Sequence, residues 1–183
     1  MIDFTDIDKN LPNGENMGGL TQKIWFGYWV DVATWPTKPD YNNSDIEDSV
    51  ELTGDITMKA GKRMFEMYIT DDTGELKMEL VGEVDGHSYV EHLSLFHPGL
   101  QSKIRGFMRA AQNENLVFIV EDSDGQRYLM GDAVRPAILL GSPDGAGTGK
   151  TTAARKGVSL EFTYKTTAIY SYAGNIPVTE ASA

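Results

Sequence analysis

The strongest constraint in this chain is a period of two. In GVSLEFTY, residues 157 to 164, Val158, Leu160, Phe162 and Tyr164 alternate with Ser159, Glu161 and Thr163. Successive side chains on a strand point to opposite faces, so this spacing predicts a strand with one face buried. The pattern recurs. In SVELTGDITMK, Val50, Leu52, Ile56 and Met58 share one parity; in RMFEMYIT, Phe65, Met67 and Ile69 do; in ELKMELVGEV, Leu76, Met78, Leu80 and Val84 lie opposite Glu75, Lys77, Glu79 and Glu83. Turn signals separate these runs: Asp71-Asp72-Thr73-Gly74, then Asp85-Gly86 before HSYVEHLSLF, and Ser123-Asp124-Gly125 inside LVFIVEDSDGQRYLMG. Asp-Gly supplies the positive φ of a tight hairpin, which makes the neighbouring strands antiparallel.

One segment departs from this period. After Pro98-Gly99, residues Leu100, Ile104, Phe107, Met108 and Ala111 recur at helical spacing, with Lys103, Arg105, Arg109 and Gln112 on other faces, predicting an amphipathic helix over about 99–113. RPAILL adds a further strand. Hairpin-linked strands with one helix predict a mainly β fold, an antiparallel sandwich or barrel flanked by that helix. A parallel, doubly wound sheet needs strands alternating with helices, and that order is missing.

A chain of 183 residues fits one domain and buries about 70% of its unfolded surface. Residues 21–173 form the β-rich body, with a polar, acidic arm at 1–20 and a short tail at 174–183 expected to be flexible in the isolated subunit. No apolar run of about 18 residues is present to cross a bilayer, and the N-terminus lacks the features of a secretory signal, so a soluble protein made in the cytoplasm is expected, with no membrane partner. With no cysteine, thiolate nucleophiles and thiolate metal sites are excluded. Sixteen Lys and Arg against 27 Asp and Glu give a net charge of -11, which argues against tight binding to nucleic acid phosphates.

GSPDGAGTGKTT, residues 141 to 152, resembles a phosphate-binding loop. The motif requires glycine five residues before Gly149, and this chain has Asp144, which opposes a polyphosphate by charge. The alternating strand from Gly157 also leaves room for only one or two helical turns, so the segment is read as a slightly basic hairpin tip. His87, His92 and His97 are evenly spaced, but on one strand His87 and His97 would sit roughly 33 Å apart with His92 on the opposite face. Asp122-Ser123-Asp124-Gly125 lacks the later ligands of a calcium loop and reads as a turn. No catalytic, metal-binding or cofactor-binding set is expected.

QKIWFGYWVDV is dense in aromatics. Trp25 and Trp29 share one parity and Phe26, Tyr28 and Val30 the other, so a strand there is apolar on both faces. Such a strand is either central to a sandwich or covered on one side by another subunit, which makes Trp25, Trp29 and Trp35 candidate interface residues.

The closing segment RKGVSLEFTYKTTAIYSYAGNIP, following the hairpin LVFIVEDSDGQRYLMG and coming after a strand-rich half and one amphipathic helix, resembles the small structural subunits of tailed-phage particles, especially tail-tube and neck-ring proteins. The resemblance spans residues 20 to 175 in general order and implies a non-enzymatic virion subunit that assembles into rings, hexameric in that family, through which DNA passes without tight binding. It further implies contacts with itself and with other virion proteins. Lys103, Arg105 and Arg109 are then candidates for pairing with an adjacent subunit, and Glu75, Glu79 and Glu83 for lining the channel. A capsid-decorating or head-to-tail connector protein is the alternative within that class. From another class, a small-molecule or carbohydrate-binding β-sandwich would use the tryptophans as stacking platforms.

Overall fold

The computed structural model describes residues 6–7, 17–41, 45–141 and 144–181. The chain is mainly β, as its alternation requires. The strands are β1 (Leu20–Tyr28), β2 (Val32–Thr34), β3 (Glu51–Leu52), β4 (Thr57–Met58), β5 (Phe65–Tyr68), β6 (Glu75–Val81) and β7 (Ser88–Pro98). After helix α1 (Ser102–Ala111) come β8 (Leu116–Asp122), β9 (Arg127–Met130), β10 (Ile138–Gly141), β11 (Ala146–Gly147), β12 (Gly157–Thr166) and β13 (Ser171–Tyr172). One sheet has six strands in the order β3-β13-β9-β8-β1-β5, and a second has the order β10-β12-β7-β6 with β11 added along β12. Strands β2 and β4 make a separate ribbon. Pairing between the strands is antiparallel except for the two-residue contact of β13 with β3, and an isolated parallel bridge joins Ala60 to Ala181.

The even-numbered side chains of β12 are deeply buried: Val158, Leu160, Phe162 and Tyr164 are at most 3% exposed. They face the six-stranded sheet across one core, where the Phe118 and Phe162 rings lie 4.5 Å apart. Helix α1 closes a flank of this core with Ile104 and Ala111 buried, and Phe107 meets Phe26 edge-on at 4.8 Å. β8 is buried on both faces. Phe118 and Val120 enter the first core, while Val117 and Ile119 enter a second one beneath the excursion of residues 32–64 and Tyr172. This explains why LVFIV shows no alternation.

Several expectations change on folding. SVELTGDITMK is not one strand: Gly54 has φ +90°, and the chain breaks there into β3, which joins the six-stranded sheet, and β4, which pairs with β2. Leu52, Ile56 and Met58 are still buried, but Val50 is exposed. Phe65 shares parity with buried Met67 and Ile69, and Leu80 and Val84 with half-buried Leu76 and Met78, yet all three are exposed, because they sit on edge strands or in a turn. Trp25 and Trp29 do not share a face, since β1 ends at Tyr28 and Trp29–Asp31 form a 3-10 turn.

The predicted arm and tail fare differently. Residues 1–5 and 8–16 lie outside the described residues, but the described end of the arm belongs to the body: the Met17 amide donates to Asp124, and Leu20 begins β1. The segment expected as a loose tail is docked over its described part, with the Met64 amide donating to the Pro177 carbonyl and amides exchanged between 61–62 and Ala181. Ile176 packs on the second core, an anchoring that a polar-looking stretch with one isoleucine conceals. Residues 182–183 lie outside the described residues. No helix among the described residues is long and apolar enough to cross a membrane.

Candidate functional site

The sheet β10-β12-β7-β6 carries the features most suggestive of a task. Its strands alternate in direction, each being antiparallel to its neighbour. The register places Glu75 beside Ser94 and Lys77 beside His92, and β12 sets Glu161 beside Ser94 and Thr163 beside His92. By the strand period, Glu75, Lys77, Glu79, His92, Glu161, Thr163 and Lys165 therefore share the face turned away from the core. Lys77 pairs with Glu79 at 3.6 Å, and His92 Nδ1 lies 3.2 Å from Glu161 Oε1. Glu75 and Glu79 are exposed on β6, whereas Glu83 lies beyond the strand in the β6–β7 turn, where Asp85 takes φ +67°.

Both lateral edges of this sheet are open among the described residues. β6 pairs only with β7 and β10 only with β12. Exposed aliphatic side chains mark them, with Leu80 at 53% on one edge and Ile138 at 44% and Leu140 at 55% on the other. A long unpaired edge without lysine, proline or a covering loop is a template for another strand. β6 carries one lysine and β10 none.

The tryptophans serve internal contacts. Trp25 Nε1 donates to Glu66 at 3.2 Å, beside the Lys23–Glu66 ion pair at 3.1 Å, and its ring packs on the second core. Trp29 Nε1 donates to the Asp132 carbonyl at 2.7 Å, and the Trp29 and Trp35 rings lie 6.3 Å apart. All three are half-buried. Lys103, Arg105 and Arg109 are exposed on α1, and among the described residues none of them forms an ion pair.

Two acidic residues not singled out in the sequence organise the interior. Asp132, in the loop after β9, accepts from Lys38 Nζ at 2.6 Å and Tyr164 Oη at 2.9 Å through Oδ2, and from the amides of Val134 and Arg135 through Oδ1. Burial pushes its carboxyl up, but these donors outweigh burial and hold it below the usual aspartate value. Glu91 on β7 is 2% exposed, and its Oε2 has no hydrogen-bond partner. Burial pushes its carboxyl up to about 8, against a weaker pull from the Lys38 charge. A signal for Glu91 was present in the sequence: it has the same parity as Leu93 and Leu95, so an acid was placed on the core-facing row.

The loop resembling a phosphate site has no helix at its end. Residues 150–154 form turns and bends before β12 begins at Gly157, and the Asp144 carboxylate sits 3.4 Å from the Ser159 hydroxyl. An N-terminal array of helix amides is the element that binds phosphate, and it is not built here. His87 precedes β7, whereas His92 and His97 lie on it. His97 Nδ1–H donates to the Tyr68 carbonyl and its Nε2 accepts from Gln101, while His92 engages Glu161. Asp122 caps its own turn by accepting the Asp124 and Gln126 amides. Among the described residues no cluster of side chains is arranged to hold a metal ion. Compared with known proteins, the chain matches no family model, no curated protein and no solved structure at a significant level.

Proposed function

We propose that this protein is a non-enzymatic structural subunit of a phage particle that assembles side by side into rings, as a tail tube or neck ring, around a passage for DNA. One observation carries the reading: four strands of alternating direction end in two open edges of opposite sense, β10 and β6. A second copy shifted sideways brings its β10 antiparallel to β6 of the first, so the sheet continues without a reversal and can close on itself. Exposed Leu80, Ile138 and Leu140 then gain cover.

The composition supports the same reading. A net charge of -11 repels phosphate, and the outer face of the sheet sets Glu75, Glu79 and Glu161 against Lys77 and Lys165, leaving no cationic patch that would hold a duplex in place. Six copies per ring is what the family resemblance implies. Mass spectrometry of purified particles, with electron microscopy of the isolated protein at high concentration, tests the proposal. Rings or tubes of this protein, and its location in the tail, are the expected result. Location on the head surface would favour a decorating protein, and absence from particles together with a strictly monomeric state would reject the reading.

A further inference from the structure

The turn between β6 and β7 is a fixed protrusion with an apolar tip. Val84 is 80% exposed there, between Glu83 and Asp85, which are exposed as well. The Gly86 amide donates to the Glu83 carbonyl at 3.0 Å, and Gly82 and Asp85 take positive φ. A Cβ on Gly82 would strike the Gly86 carbonyl, so the turn closes tightly. A tip already held in one shape gives up little freedom when a partner covers it.

At the other end of the same strands lies a hollow of about 490 Å³. It opens on the outer face of the sheet, where Ser94 and Phe96 of β7 and Ser159 of β12 line it, with Ser159 beside Phe96 in the register. The Phe96 ring lies against Gly157, where a Cβ would collide with it, and the Arg155 guanidinium stands 5.8 Å from the ring centroid. Thr73 lines the hollow from the β6 side, and Asp144 and Arg155 from the loop before β12. The Asp144 carboxylate sits 3.4 Å from the Ser159 hydroxyl. From Gly145 to Lys156 that loop carries Lys150, Arg155 and Lys156, all exposed, and no acid.

Tip and hollow match in chemistry and lie at opposite ends of the subunit. Val81 pairs with Ser88 at the turn, and Phe96 lies eight residues further along β7, about 26 Å away, so the turn cannot reach its own hollow. A second copy displaced along the strands and stepped towards the outer face brings its valine over Phe96 and its two carboxylates beside the cationic loop. We propose that the Glu83–Asp85 turn of one copy seats in the hollow between Phe96 and Arg155 of a second copy, end to end. Asp71 and Asp72 precede Thr73 on the β6 side and keep the incoming carboxylates on the Arg155 side. A knob and a pocket on different parts of one molecule make a contact that does not close on itself, so copies string into a file. This contact runs along the strands, whereas the edge contact proposed above runs across them, and neither requires the other.

The absence of cysteine makes a clean test possible. Val84→Cys and Ser94→Cys in one chain cannot bond internally, because Ser94 is six residues, about 20 Å, along β7 from Ser88 and Val84 lies beyond that end. Concentrated protein is oxidised with diamide and separated without reductant. The expected result is a ladder of dimers, trimers and higher species, several-fold above Val84→Cys with Ala133→Cys, an exposed site elsewhere. Ser159→Cys in place of Ser94→Cys should give the same ladder. Glu83→Lys or Arg155→Glu alone should lower the yield several-fold, and the two together should restore it. Dimers without higher species would overturn the proposal by showing a two-fold contact, and so would a yield no greater than the control's. Rings without the ladder remove only this contact, whereas a ladder without rings keeps it and rejects the rings.

Discussion

The Tyr164 hydroxyl donates a 2.9 Å hydrogen bond to Oδ2 of Asp132, joining β12 of one sheet to the loop that leaves β9 of the other. Lys38 reaches the same oxygen at 2.6 Å, so one carboxylate gathers three distant parts of the chain. Asp132→Ala is expected to cost roughly 2–3 kcal/mol because it leaves the lysine and two backbone amides without their acceptor, whereas Tyr164→Phe should cost about 1 kcal/mol. Because the folded-state pKa of Asp132 is depressed, its contribution is present above the unfolded value of 3.8 and is lost as pH falls through the folded value. Urea midpoints should show the advantage of the parent over Asp132→Asn shrinking below about pH 4; a difference independent of pH would reject the assignment.

Glu91 predicts the reverse slope. Its folded pKa is raised from 4.5 to about 8, so its protonated form stabilises fully below 4.5 and the benefit is lost as pH rises toward 8. Between pH 5 and pH 9 the parent should therefore lose stability, by a few kcal/mol at most in order of magnitude, while Glu91→Gln stays flatter and overtakes it at alkaline pH. Chemical denaturation of both proteins at the two pH values reads this directly. Parallel profiles would mean that the carboxyl finds a partner when charged.

The open edges give a prediction that separates assembly from folding. Ile138→Lys, Leu140→Lys and Leu80→Lys each place a charge on an exposed edge position, where stability should change by about 0.5 kcal/mol or less. Light scattering and microscopy should nevertheless show loss of rings. Normal assembly by all three variants would remove the basis for edge-to-edge contact.

Two glycines should respond with opposite sign. A Cβ at Gly157 would run into the His97 carbonyl and the Phe96 ring, so Gly157→Ala should destabilise by about 2 kcal/mol or more. Gly106 sits inside α1 facing open space, and Gly106→Ala should stabilise by about 0.5–1 kcal/mol. Thermal unfolding of the two variants checks both.

Strands with one buried face were legible in the sequence because their alternation survives intact: β12 and the helix stripe of Ile104 and Ala111 fold as read. The region from Val50 to Met58 was misread because burial kept its parity through Gly54 while hydrogen bonding moved to a different sheet, and apolar pattern reports burial rather than pairing. Trp29 left its expected face for a similar reason, since nothing in YWVDV announces a 3-10 turn. The cations of α1 were legible as exposed charges, but that only Lys103 among them borders the hollow beside β5 depends on how the helix docks on the sheet. Asp132 was invisible because its four donors come from three separated segments.

An even count of strands has a consequence for assembly. Because the sheet enters on one polarity and leaves on the other, any number of copies can be joined into a seamless hoop, and strand sense imposes no parity on the total. In the proposed ring, copy number would follow from how sharply each subunit bends the sheet, and the shift in pairing between Leu139 and Gly141 against β12 would be a place where one residue resets the circumference.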